Sequence, residues 1–277
     1  MLTWTTLLSV SLVSLFAGAF GALLGIGGGL IIVPVLIGVF HIETEVARTA
    51  SLVAVCVTSM AGSMVYLRRG ITDLESASYL QLPTALGAVT GALLGGQLPT
   101  PLVQWAFIFV LLFVAVRLWQ ATTMPKLLVA PESLPNVNPG EPGGMQEEGI
   151  ERAERRNLWV VASASCAGAG MLSSLLGIGG GLVFVPVLTL LLRRSAHIAS
   201  ATSTYLIGLT ASASALLYAR DGMIDYNLSL VTAVGIFVGA QTGARLSQYI
   251  RGIHLQRAFT LVMIANAILL ARKALYG

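Results

Sequence analysis

The chain has 277 residues, 56% of them hydrophobic and 10% charged, with a formal net charge of +4. Soluble domains carry about 25% charged residues, so the composition excludes an ordinary soluble protein. The small positive balance sits in loops, where it marks orientation in a membrane and excludes the basic footprint of a nucleic-acid binder.

The first twenty residues contain no Lys or Arg. They lack the basic start of a signal peptide and read as a first membrane helix. Apolar segments then fall near 4–24, 29–40, 46–67, 78–97 and 102–120, followed by 158–176, 181–192, 198–218, 228–247 and 255–273. A helical span needs about 20 apolar residues. The reading is an all-α polytopic membrane protein in three parts: a first transmembrane repeat over 1–120, a polar linker over 121–157, and a second transmembrane repeat over 158–277. The linker holds Pro125, Pro131, Pro135, Pro139 and Pro142 with mixed charges, which is loop composition.

Two copies of one unit account for the segment pattern. Leu24-Gly-Ile-Gly-Gly-Gly-Leu-Ile-Ile-Val-Pro-Val-Leu36 returns as Leu176-Gly-Ile-Gly-Gly-Gly-Leu-Val-Phe-Val-Pro-Val-Leu188, identical at eleven of thirteen positions with an offset of 152. The same offset pairs Ala47 with Ala199, Ser51 with Ser203, Tyr66 with Tyr218, Gly70 with Gly222 and Asp73 with Asp225. The second segment of each half is short. Leu30–Phe40 is roughly 16 Å long as a helix, against a hydrocarbon core of about 30 Å. It either re-enters or crosses as a short helix, and both options leave an odd number of crossings per half. Odd crossings invert the second half relative to the first.

Basic residues agree with inversion. It places Arg68, Arg69, Lys126, Arg152, Arg155, Arg156, Arg193, Arg194, Arg245 and Arg251 on one side, and Arg48, Arg220, Arg272 and Lys273 on the other. The positive-inside rule then makes the linker cytoplasmic and both termini external. A same-way repeat gives a weaker split of about nine to six by that rule.

Gly25-Ile-Gly-Gly-Gly29 and Gly177-Ile-Gly-Gly-Gly181 carry the chemistry. Glycine permits left-handed dihedrals and close backbone approach, so four in five residues unwind a helix. Unwound backbone at membrane depth must line a cavity or find partners. The helix that follows points its partial positive end at the break, which suits an anion. The plain alternative is a packing corner, but two matching clusters favour substrate lining. Pro34 and Pro186 support a discontinuous helix. The spacing lacks the Lys-Ser/Thr of a nucleotide loop.

The candidate substrate-binding residues are therefore Gly27, Gly28, Gly29, Gly179, Gly180 and Gly181 as backbone donors, with Ser51, Thr202 and Ser203 as hydroxyl contacts. Ser51, Thr202 and Ser203, together with Thr49 and Thr204, start the third segment of each half, where capping or interhelical hydrogen bonding is an equal reading. Arg245, in a small-residue helix, is a candidate anion or gate residue. Arg117 reads as a snorkelling side chain near a span end. Gly87-x3-Gly91-x3-Gly95 and Gly235-x3-Gly239-x3-Gly243 read as helix-packing ridges. The Tyr66-x-Arg68-x-Gly70 and Tyr218-x-Arg220-x-Gly222 turns read as aromatic anchors at the interface. Cys56 and Cys166 are not repeat partners, and no disulfide is expected from them. His41, His197 and His254 match no metal spacing, and no metal or cofactor is expected.

No Asp or Glu falls inside an apolar segment. Cation and proton pathways rely on intramembrane carboxylates, so the pattern points to an anion. The doubled glycine motif, with its Thr/Ser-rich following helix and Tyr-x-Arg-x-Gly turn, resembles the sulfite exporter TauE/SafE family of membrane permeases. The resemblance covers nearly the whole chain except the linker. It implies a bacterial inner-membrane, multi-pass carrier of a sulfur-containing oxyanion such as sulfite or an organosulfonate. A carrier of another small anion, such as a carboxylate, is the runner-up, and a non-transporting membrane scaffold is the reading from another class. No enzymatic constellation is present. The expected partners are the small anionic substrate and the bilayer, with homo-oligomerisation open.

Overall fold

The computed structural model describes residues 4–95, 98–99, 101–103, 105–106, 108–109 and 145–247. Expectations for 110–144, for the span at 255–273, and for Arg117, Lys126, Arg251, His254, Arg272 and Lys273 lie outside the described residues. Within them the architecture is all-helical: α1 Trp4–Leu24, α2 Gly29–Gly38, α3 Thr44–Arg68, α4 Leu74–Gly95, α5 Met145–Leu176, α6 Gly181–Pro186, α7 Ala196–Arg220 and α8 Tyr226–Leu246. A wider π turn, Val187–Leu191, extends α6. Among the described residues, four helical stretches are long and apolar enough to cross a membrane: Thr6–Leu24, Thr44–Arg68, Asn157–Leu176 and Tyr226–Leu246.

One boundary differs from expectation. Residues 145–157 were expected in the polar linker, but α5 begins at Met145. The sequence places Glu148 four residues before Arg152 and Glu151 four before Arg155. That is the spacing and order that favours a solvated helix. Polarity alone misreads it as loop.

The expected short helices are present. α2 has ten residues, about 15 Å at the usual rise, and contains Pro34. α6 contains Pro186. Both exits use the same strained corner: His41 and Arg193, an offset of 152 apart, have φ of 53° and 52°. Their neighbours close the corner, Ile42 N–H donating to Leu36 O and Arg194 N–H to Leu188 O.

Packing crosses between repeats. α1 lies along α8, and its counterpart α5 lies along α4. α3 packs on α7 and α8, and α7 packs on α3 and α4. Glycines bring these backbones together, because any Cβ would collide. Gly87 and Gly91 face the Ala167 and Met171 carbonyls. Gly235, Gly239 and Gly243 face the carbonyls of Ser11, Leu15 and Ala19. Gly95, expected as the third member of the first ridge, instead faces the Tyr218 hydroxyl. The sequence halves are therefore not separate packing bodies, and motion as two sequence halves would tear the α1–α8 and α4–α5 contacts.

α3 and α7 run antiparallel. Along α3, Thr49 reaches Met223, Cys56 meets Ser212, Ser59 meets Thr204, and Asp73 just beyond meets Thr202. As one position rises, the other falls. Large apolar side chains cover the outside, among them Leu8, Leu12, Phe16, Leu82, Leu86, Leu230 and Val234. Such a surface fits hydrocarbon solvent.

Candidate functional site

The two glycine breaks meet in the interior. A Cβ placed on Gly27 would stand 3.7 Å from Ile178 O, and one on Gly179 would stand 3.6 Å from Ile26 O. One on Gly29 would strike Gly177 O, and one on Gly181 would strike Gly25 O. All of Gly25–Gly29 and Gly177–Gly181 are buried. Left-handed dihedrals make the breaks: Gly25 and Gly27 have φ of 68° and 80°, and Gly177 and Gly179 have 72° and 89°. L side chains avoid this region.

α3 and α7 bracket the meeting point from opposite directions, and their contacts come in pairs. Ser51 Oγ donates to Gly177 O at 2.7 Å, and Ser203 Oγ donates to Gly25 O at 2.6 Å. Val55 and its counterpart Ile207 both touch the space over Gly27 and Gly179. Tyr66 Oη donates to Ala22 O at 2.8 Å, and Tyr218 Oη to Ser174 O at 3.2 Å. Both tyrosines are buried, which corrects the expectation of interfacial anchors. Carbonyls released at the ends of α1 and α5 need donors, and the phenols supply them. The arginines of the same turns, Arg68 and Arg220, are exposed as expected.

The expected site residues divide into groups. Ser51 and Ser203 sit directly on the breaks. Gly29 and Gly181 form their contact, and Gly27 and Gly179 lie under Val55 and Ile207. The Gly27 amide donates to Gly21 O at 3.2 Å, so it closes the end of α1. Gly28 and Gly180 point elsewhere: a Cβ on Gly28 would meet Ile236 and Ala17, and one on Gly180 would meet Phe184. Gly28 is right-handed, with φ −72°, where Gly180 has φ 70°. Thr202 is buried, but its Oγ1 accepts the Asp73 amide at 3.0 Å, away from the breaks. Arg245 is exposed on the last turn of α8, and its carbonyl accepts from Arg69.

Thr202 belongs to a polar latch between repeats. Asp73 caps α4 through Ser76, bonding its amide at 3.1 Å and its hydroxyl at 2.6 Å, and pairs with Arg194 at 2.7 Å. Partial burial opposes the charge on Asp73. The Ser76 donors and the Arg194 guanidinium outweigh it and hold the carboxyl below its usual range.

Arg48 was expected at a membrane face. It lies one turn into α3 and is 2% exposed. Nη1 donates to Leu175 O at 2.9 Å and Nη2 to Gly95 O at 3.3 Å. Cζ lies 5.3 Å from the centre of the Tyr218 ring. Nε is buried without a partner. Hydropathy could not have found it, because the surrounding window averages out one cation. Its spacing of three before Ser51, on the same helix face, was the available signal.

Residues 10–270 match the family described as Sulfite exporter TauE/SafE. A probable membrane transporter protein, YunE of Bacillus subtilis strain 168, is 25% identical over 267 residues, covering 92% of each chain. YdhB of the same organism, also named a probable membrane transporter protein, is 24% identical over 261 residues, 94% of this chain and 98% of its own. A probable membrane transporter protein of Xylella fastidiosa strain 9a5c is 27% identical over 249 residues, 89% of this chain and 87% of its own. No solved structure matches the chain. The chain belongs to the Sulfite exporter TauE/SafE family, and it is an integral membrane protein.

Proposed function

We propose that the protein is a secondary transporter that moves a small sulfur-containing oxyanion, such as sulfite or an organosulfonate, across the bacterial inner membrane. The observation that carries this reading is the buried meeting of two glycine breaks, each held by a serine from the opposite repeat. Broken helices that meet at a repeat interface are how many secondary carriers build a substrate site. The two breaks offer backbone dipoles, with their serine hydroxyls bonded to the Gly177 and Gly25 carbonyls, and no carboxylate is among the described residues that contact them. That chemistry suits an anion. Family membership supports the sulfur oxyanion over the carboxylate.

The antiparallel run of α3 and α7, together with the paired contacts at an offset of 152, supports an inverted arrangement with the axis in the membrane plane. The cross-repeat packing makes α1 with α8, and α4 with α5, the natural moving bodies. A panel of sulfite, thiosulfate, taurine and acetate, read by ligand-dependent thermal shift on purified protein, tests the substrate class. Stabilisation by sulfite or taurine but not acetate is the expected result. Stabilisation by acetate alone moves the reading to a carboxylate carrier, and no response to any of the four removes the anion reading.

A further inference from the structure

We propose that Arg48 is the charge-bearing residue of the anion site, which places the ligand's charge at the second glycine break. The inference rests on the anion-transport reading and names the group that would hold the charge.

Burial of a guanidinium without a carboxylate is costly. Ionisable groups inside membrane proteins are rare, pair with one another or with backbone carbonyls, and commonly mark substrate pathways. Among the described residues the one ion pair is Arg194 with Asp73, so no carboxylate bonds Arg48 directly, and Glu45 and Asp221 stand only within electrostatic range of the Tyr218 ring beside it. It sits against the break itself. A Cβ on Gly177 would stand 2.8 Å from Arg48 Cγ, and Ser51, one turn on, bonds Gly177 O.

The plain reading is that Arg48 only caps helix ends, because a cation is favoured at the negative end of a helix. The repeat contains its own control. The counterpart of Arg48 is Ser200, and the counterpart of Leu175 is Leu23. Ser200 Oγ donates to Leu23 O at 3.2 Å. A neutral hydroxyl therefore makes the same contact in the other half. The second bond, to the end of α4, also has an analogue. On the opposite face Arg69 donates to Ala244 O at 3.3 Å, at the end of α8, from an exposed position. Neither contact requires a buried charge, yet Arg48 is buried.

The guanidinium has donors to spare. It has five N–H groups, of which the single one on Nε has no partner. Cζ lies over the Tyr218 ring, and an oxyanion bound at the free Nε would meet the edge of the guanidinium, the geometry used for two-oxygen recognition. Among the described residues only one of the two breaks has such a cation, so the site is asymmetric although the scaffold is paired.

The test uses purified full-length protein titrated with sodium sulfite, taurine and sodium acetate by calorimetry. Arg48→Ser gives the position the residue its counterpart carries, and Arg48→Lys keeps the charge. Loss of affinity by about tenfold or more in Arg48→Ser, the scale of a charged hydrogen bond, with partial recovery in Arg48→Lys, is expected. Affinity within twofold of wild type in a folded Arg48→Ser overturns the proposal. Wild-type arginine Nε resonances, with Arg48 assigned from its absence in Arg48→Lys, decide the matter if Arg48→Ser does not fold. A shift of the Arg48 signal on sulfite addition supports the proposal, and no shift at saturation overturns it. Binding of acetate alone, still lost in Arg48→Ser, rejects the sulfur reading and keeps Arg48. Absence of binding by all three anions to wild type rejects both.

Discussion

Ser51 donates its hydroxyl proton to the Gly177 carbonyl, at 2.7 Å and 126 residues away in sequence. The bond ties the first repeat to the break of the second, and Ser203 does the converse at Gly25. Each serine thus sits where a helix has been opened, satisfying a carbonyl that the opening released.

Ser51→Ala and Ser203→Ala should each destabilise the protein by about 0.5–1.5 kcal/mol, the net worth of a neutral hydrogen bond. The two effects should be alike, because the geometry is paired. Thermal unfolding in detergent measures both. A difference of several kcal/mol between them would contradict equivalent roles.

Gly29→Ala and Gly181→Ala should abolish the contact between the breaks. Each Cβ would fall on the facing carbonyl, Gly177 O or Gly25 O, and overpacking of this kind costs about 1–3 kcal/mol. Gly70→Ala is the control: nothing lies within 4 Å of its Cβ, and only its φ of 67° is strained. Gly28→Val and Gly180→Val, by contrast, disturb packing against Ile236 and Phe184. Monodispersity on size exclusion and anion affinity separate the cases: Gly29→Ala and Gly181→Ala should lose both, and Gly70→Ala should keep both.

Arg245→Gln should leave anion affinity and thermal stability near wild type, since the side chain is exposed. Calorimetry with sulfite checks this. A tenfold loss would return Arg245 to the site.

The Asp73–Arg194 latch should weaken in acid. The folded Asp73 carboxyl is held below its ordinary 3.8. Its contribution is complete above the unfolded value and is lost as pH falls through the lower folded value. Arg194 is 40% exposed on its side chain, so the ion pair contributes at most about 1 kcal/mol. Asp73→Asn should therefore flatten the pH dependence of unfolding below about pH 4 while lowering stability modestly at pH 7. An unchanged acid limb would show that the latch does not form.

Gln146→Cys, in a background lacking Cys56 and Cys166, should resist an impermeant thiol reagent in intact cells. The basic residues Arg152, Arg155 and Arg156 follow it closely, and cytoplasmic loops carry such excess. Efficient labelling from outside would reverse the orientation.

The sequence alone determined the duplication, the two breaks and, within the described residues, the helix spans. Each is a local signal. Apolar length, glycine clusters and proline act within one turn or one segment, and an ungapped offset of 152 is visible without any structure. The start of α5 was misread because polar composition hides i,i+4 spacing. Only the tertiary structure decided which side chain meets which break. Ser51 with Gly177, Tyr218 with Ser174 and Arg48 with Leu175 join residues that propensity treats as unrelated. The glycine faces were also undecided, since Gly28 and Gly29 are neighbours that point to different helices. Arg48 shows the limit most clearly. Its charge read as a surface residue, and only the packing of α4, α5 and α7 around α3 makes it the buried cation beside the second break.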